Sequence, residues 1–207
     1  GFSSSDFINL NNGDTLKVGV GYRANNDTSA IIINGNANNG NLYAIVKFDT
    51  AQRIFNLLGN PYPGAINASK FLDKNSQVLD RVIYVKLPKN KSNKFSADEL
   101  VTINDFGASG NGINDTTLTL TTAEIGAATG FFTASLKSDT ARFDNTMRTN
   151  NMPVINVVPT IFQKLRITLT APDSFYSQTD CVFSQGATDN YDAGQDAYRF
   201  STSKGVG

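Results

Sequence analysis

"KLRITLT", residues 164 to 170, alternates Leu165, Ile167 and Leu169 with Arg166 and Thr168. Successive side chains of an extended chain point to opposite faces, so this spacing predicts a strand with one buried face and one wet face. The same period appears near the start, where Val18 and Val20 flank Gly19 within "DTLKVGVGY", residues 14–22. With "SAIIING" (29–35) and "NLYAIVKFDT" (41–50), and Asn-Gly pairs at 12–13 and 39–40 to accept positive φ, it predicts an antiparallel meander over residues 14–50.

Further strands are predicted at 81–87, 117–125, 130–136, 140–147, 164–170 and 180–185. In the fifth-decade break between these groups, an apolar run from Ile54 to Leu58 stops at Gly59, and Pro61 and Pro63 impose a rigid turn. That turn would be shaped by its prolines, with a cis bond at Pro61 or Pro63 as one option, or would display Asn60 and Tyr62 to a ligand. A short helix follows in this reading, capped by Asn67 or Ser69, turning Phe71 and Leu72 inward and ending at Asn75. Phe131 and Phe132 point to opposite faces of their strand, one into the core and the other toward a second sheet, a neighbouring molecule or a ligand. The polar stretch 104–117, "NDFGASGNGINDTT", reads as a loop. The fold class expected is all-β, an antiparallel β-sandwich or jelly-roll-like body of about ten strands with one short helix.

Composition narrows the functions. The 207 residues carry 18 basic and 18 acidic side chains, a net charge of zero that offers no footprint for nucleic acid or anionic membranes. Lys86, Lys89, Lys91 and Lys94 are interrupted by Pro88 and small polar residues and read as a solvated loop. No stretch approaches the length of a membrane-spanning helix, so membrane insertion is not expected. The chain opens on Gly1 rather than Met, which suggests a mature or excised portion of a longer product. Cys181, the single cysteine, sits in the apolar "DCVF" and reads as a buried thiol.

The chain has no histidine, which removes the usual general base, zinc ligand and neutral-pH proton shuttle. A glycosidase needs only two carboxyl groups, but Glu99 and Glu124 are the only glutamates and tryptophan is missing, so no enzymatic activity is expected. "ATDNYDAGQDAYRF", residues 187–200, places Asp189, Asp192 and Asp196 at i, i+3 and i+7, with Gly194 between the last two. Two readings stand: a Ca²⁺ loop, because that cation takes six to eight oxygens, or a turn whose carboxylates accept from neighbouring amides. The cofactor expectation is accordingly none, or calcium.

Several longer stretches carry a resemblance in their order and spacing. "FNLLGNPYPGAINASKFLDKNSQVLDRVIYV", "IGAATGFFTAS", "FDNTMR" and "LRITLTAPDSFYSQTDCVFSQGATDNYDAGQDAYRF" together resemble a β-rich module of Bacteroidota cell-surface and secreted proteins exported by the type IX secretion system. The similarity covers about residues 53–200, and the chain departs from the family in having Phe55 where Trp is frequent. The resemblance implies one β domain over 1–207, with an N-terminal meander (1–52) packed on the cargo-like module (53–203). It also implies an extracellular or cell-surface location, with a signal peptide and a C-terminal sorting domain in the full product, and no shared catalytic activity. The final acids would belong to a recurrent "GAT-x-x-(Y/F)-D-x-x-x-D" ending. Secreted proteins of this kind carry O-glycans at Asp-(Ser/Thr)-apolar sites, which nominates Thr15, Thr50 and Thr140.

The function expected is a non-enzymatic extracellular structural or adhesion module whose partners are other copies or surface proteins, with self-assembly into a filament or layer as an extension. Homotypic contacts would run through apolar residues such as Ile31 to Ile33 or Phe131. The alternative is a carbohydrate-binding module with a glycan partner, reading its ligand through Tyr62 or Tyr191.

Overall fold

The computed structural model of the chain describes residues 11, 13–23, 35–50, 55–86, 100–110, 120–150, 163–171, 175–183, 187–193 and 195–198. Among them are eleven strands and one α-helix, and every strand pairing is antiparallel. The chain is all-β.

The centre is a five-stranded sheet built from β2 (Phe55–Gly59), β4 (Ile83–Lys86), β5 (Leu100–Asn104), β6 (Gly107–Ser109) and β8 (Gly130–Ala134), in the order β2-β8-β4-β5-β6. Alternation sorts its side chains onto two faces, and both are buried. Leu58, Ile83, Val101, Ile103 and Phe131 join the main core, while Val82, Tyr84, Leu100 and Phe132 form a second cluster behind it. Phe131 and Phe132 therefore do point opposite ways, at 0% and 4% exposure, and neither is offered to a neighbouring molecule.

Helix α1 (Ala68–Lys74) covers the main-core face. Asn67 caps it by accepting from the Lys70 amide, and Asn75 ends it, as its sequence predicts. Phe71 lies edge-on to Phe131 and stacks on Phe143, with ring centroids 5.4 Å and 4.7 Å apart. Phe143 comes from β9 (Asp139–Phe143), which pairs with β1 (Leu42–Val46) in a two-stranded sheet, Tyr43 opposite Arg142 and Ile45 opposite Thr140. Two other small sheets join β3 (Ile66–Asn67) to β7 (Glu124–Ile125), and β10 (Gln163–Ala171) to β11 (Phe175–Phe183).

Several expectations are corrected. Among the described residues β1 pairs with β9 about a hundred residues away, and residues 14–22 form an isolated bridge from Val20 to Leu58 rather than a strand. Gly19 explains the loss of a strand there. Its φ of +74° is foreign to extended backbone, and a Cβ would stand 3.0 Å from Ala44 and Phe143. Residues 29–34, Ile31 to Ile33 among them, lie outside the described residues, as do 117–119. The segment 140–147 divides into β9 and a 3₁₀ turn at Asn145–Met147. The stretch read as a loop from residue 104 begins instead with a hairpin between β5 and β6, where the Asn104 side chain accepts from the amides of Phe106 and Gly107 at 3.0 and 3.1 Å. No cis peptide occurs at Pro61 or Pro63.

The β10–β11 hairpin inverts the reading of its own pattern. Leu165 and Ile167 are 51% and 52% exposed, and it is Arg166 that turns toward protein, in a two-toothed ion pair with Asp180 across the ladder at 2.8 and 2.9 Å. Cys181, directly opposite Leu165, is exposed rather than buried. A period of two fixes which residues share a face; it leaves open which face the rest of the molecule covers.

Candidate functional site

The acidic stretch nominated by sequence folds as a cap over the second face of the central sheet. Tyr191 and Tyr198 stack at 4.1 Å between ring centroids. The Tyr191 hydroxyl donates to Asp80 Oδ2, the Tyr84 hydroxyl donates to the Tyr198 carbonyl at 3.0 Å, and Asn104 Nδ2 donates to the Gln195 carbonyl at 2.6 Å. Asp80 is 1% exposed, beside the turn into β4, and also accepts from the Arg81 amide at 2.8 Å. Burial, and then the hydrogen bond to Asp80, push the Tyr191 phenol well above its ordinary pKa.

Within the cap the carboxylates serve the backbone. Asp192 accepts from the Thr188 amide and hydroxyl at 2.6 and 2.8 Å, and Asp196 accepts from the Asp192 amide at 2.8 Å. Asp189 is exposed. Asp189, Asp192 and Asp196 do not converge, and no group of three His, Cys, Asp or Glu side chains able to hold a metal occurs among the described residues. This is the arrangement of an Asx-type turn, in which short acidic side chains substitute for missing ladder partners.

Tyr62 sits elsewhere and is 2% exposed. Its hydroxyl donates to the Gly40 carbonyl at 2.6 Å, its ring lies under the Arg148 guanidinium at 5.6 Å, and burial, then the nearby Asp144 charge, raise its pKa. Asn60 is similarly enclosed, its amide donating to the carbonyls of Gly64, Ile125 and Gly126 at 2.8 to 3.0 Å. "GNPYPG" is thus a structural corner, and the structure brings neither Tyr62 nor Tyr191 into an open cleft. Of the nominated glycosylation positions, Thr15 and Thr50 are exposed and Thr140 is partly so.

A cation also organises the rear of α1: Arg81 donates to Asp105 Oδ2 at 2.6 Å, to Ser69 Oγ at 3.0 Å and to Asp73. The hydrogen bond to Asp105 is the main reason its guanidinium pKa rises further.

An open concavity lies at the Leu42/Phe143 end of the β1–β9 pair. Asn41, Tyr43, Lys74, Arg142, Phe143 and Asp144 line a polar hollow of about 130 Å³. Tyr43 is 56% exposed and Ile45 beside it 78%. Lys74 pairs with Asp144 at 3.1 Å, and hydrogen bonds from Thr146, then the Lys74 ammonium, hold the Asp144 carboxyl below its ordinary range. Sequence reasoning passed over this place because its residues come from three separated segments, residues 41–43, 74 and 142–144. The strand alternation that puts Tyr43 and Arg142 on one face was legible, but the pairing of β1 with β9 was not.

No helix among the described residues is long and apolar enough to cross a membrane. No curated protein and no solved structure matches the chain. A family match spans residues 6–205, almost the entire sequence. The chain belongs to the family described as a domain of unknown function, DUF8693.

Proposed function

We propose that the chain is a non-enzymatic structural and adhesion module of a surface-exposed bacterial protein, exported by a type IX-like route, that associates with further copies of itself or with other surface proteins. The observation that carries the reading is the outward face of the β10–β11 hairpin. Leu165 and Ile167 lie there at half exposure, with Thr179 and Cys181 opposite them and likewise exposed, while the Arg166–Asp180 pair anchors the other face. Apolar side chains ordered on a ladder present an area that a second ladder can cover. The absence of histidine from the sequence and the use of Asp80, Asp192 and Asp196 as hydrogen-bond acceptors within the fold favour a binding surface over a catalytic centre. The export route rests on the sequence resemblance.

Sedimentation velocity under reducing conditions tests the reading. Association that grows with concentration is expected for the native chain, and the double change Leu165→Lys, Ile167→Lys should abolish it with little effect on melting temperature. A chain that stays monomeric into the millimolar range would remove self-assembly.

A second reading, carbohydrate binding, is favoured by one observation. Tyr43 presents its ring to solvent at the rim of a polar hollow, the combination of flat apolar surface and hydrogen-bonding groups that sugars engage.

A further inference from the structure

We infer that the hollow on the β1–β9 face binds a carboxylated sugar, with Arg142 holding the carboxylate and Tyr43 supporting the ring. The inference rests on the carbohydrate-binding reading and names its site and ligand class.

Charge comes first. The hollow contains two cations, Lys74 and Arg142, and one carboxylate, Asp144. Asp144 is already satisfied by Lys74 and by Thr146, whose amide and hydroxyl both donate to it. The neighbouring Asp139 has its own partner in Lys137 at 3.1 Å. Arg142 also acts on Asp139 through space, more weakly than the bond from Lys137; among the described residues its guanidinium makes no hydrogen bond or ion pair, and the side chain is exposed beside an aromatic ring. A guanidinium presents parallel N–H groups that match a carboxylate in two-point fashion.

Geometry comes second. Tyr43 and Arg142 are directly opposed on the antiparallel pair and share its outer face, which places their Cβ atoms about 5 Å apart. A sugar ring lying with its C–H face on the phenol would bring a ring carboxylate to the guanidinium. Asn41 and the Lys74–Asp144 pair supply donors and acceptors for hydroxyls around the rim.

Preorganisation comes third. The backbone of Arg142 is gripped on both sides by the buried Asn75, whose Oδ1 accepts from the Arg142 amide at 2.7 Å and whose Nδ2 donates to the Arg142 carbonyl at 2.9 Å. Asn75 also donates to the Phe71 carbonyl at 2.8 Å, so the residue that ends α1 fixes the strand that carries the arginine. The site is held by the core rather than by a loop.

Titration of the intact chain with methyl glucuronoside, methyl glucoside and acetate, followed by amide NMR shifts, tests the inference. The glucuronoside should bind at millimolar concentration or tighter and move residues 41–43 and 142–144, with the glucoside and acetate each at least ten-fold weaker. Arg142→Gln should remove the preference for the acidic sugar, Arg142→Lys should keep part of it, and Tyr43→Ala should weaken both sugars. Both side chains are exposed, and an otherwise unchanged amide spectrum confirms that each variant folds. Equal binding of the two sugars, or of acetate and the glucuronoside, would overturn the ligand class. Shifts that map elsewhere would overturn the site while leaving carbohydrate binding intact, and no binding of either sugar would sink both.

Discussion

Tyr191 and Asp80 stand 111 positions apart in sequence, yet the phenol donates to a carboxylate that is almost wholly buried. A buried carboxylate that loses one of its donors keeps the desolvation cost that donor offset, so Tyr191→Phe should destabilise the chain by about 1 to 3 kcal/mol, measured by urea unfolding. The pH dependence has a definite sign. The native phenol keeps its proton to higher pH than the unfolded one, whose ordinary value is 10.0. Below that value the contribution is fully present; above it the unfolded chain loses its proton first, and stability falls as pH rises. The native chain should therefore lose stability above pH 10 more steeply than Tyr191→Phe, and parallel curves for the two would show that the phenol does not titrate differently on folding. At this scale residue types were readable and their neighbours were not. Tyr62 and Tyr191 read as ligand contacts in the sequence and are packed in the fold, because a tyrosine beside prolines or acids looks the same in sequence whether its ring is displayed or packed. Cys181 shows the reverse case, an apolar-looking neighbourhood that proved to be the open side of a ribbon.

Among the elements, α1 was the most legible. Its start, stop and inward residues follow from capping chemistry and from Phe71 and Leu72 lying next to each other before a polar run, all local information. Phe71 is 0% exposed and touches aromatic rings from two sheets, so Phe71→Ala should cost about 3 to 5 kcal/mol by chemical denaturation. Asn67→Ala should cost only about 1 to 2 kcal/mol, since the side chain accepts from the Lys70 amide and donates to the Thr121 carbonyl in two exposed hydrogen bonds; similar losses for the two would mean that the helix contributes through its end rather than its packing. Strand β5 was missed for a physical reason. Leu100 and Val101 are both buried because the central sheet is covered on both faces, and two-sided burial erases the alternation by which a half-buried strand is recognised. The hairpin that follows did carry a signal, since Asn104 and Gly107 are the residues such a turn requires, with Gly107 at a φ of +141°.

For the whole molecule, the C-terminal cap is the long-range closure. Hydrogen bonds tie residues 191–198 to residues 80–104, a stack of Tyr191 on Tyr198 stiffens the cap itself, and Asp192 and Asp196 accept from the cap's own amides. These internal bonds favour the turn reading, on which excess chelator should leave the melting temperature unchanged; a fall of several degrees, reversed by added Ca²⁺, would return the loop to the calcium reading. The sequence by itself determined the all-β class, the helix with its end at Asn75 and a start narrowed to Asn67 or Ser69, and the placing of Phe131 and Phe132 on opposite faces. These depend on backbone periodicity and turn chemistry within a few residues. Only the tertiary structure decided that β1 joins β9, that Leu165 and Ile167 look outward, and that Tyr43 and Arg142 share a hollow. Each of those turns on which distant segment lies alongside, and alternation is symmetric between the two faces of a strand, so nothing local breaks the tie.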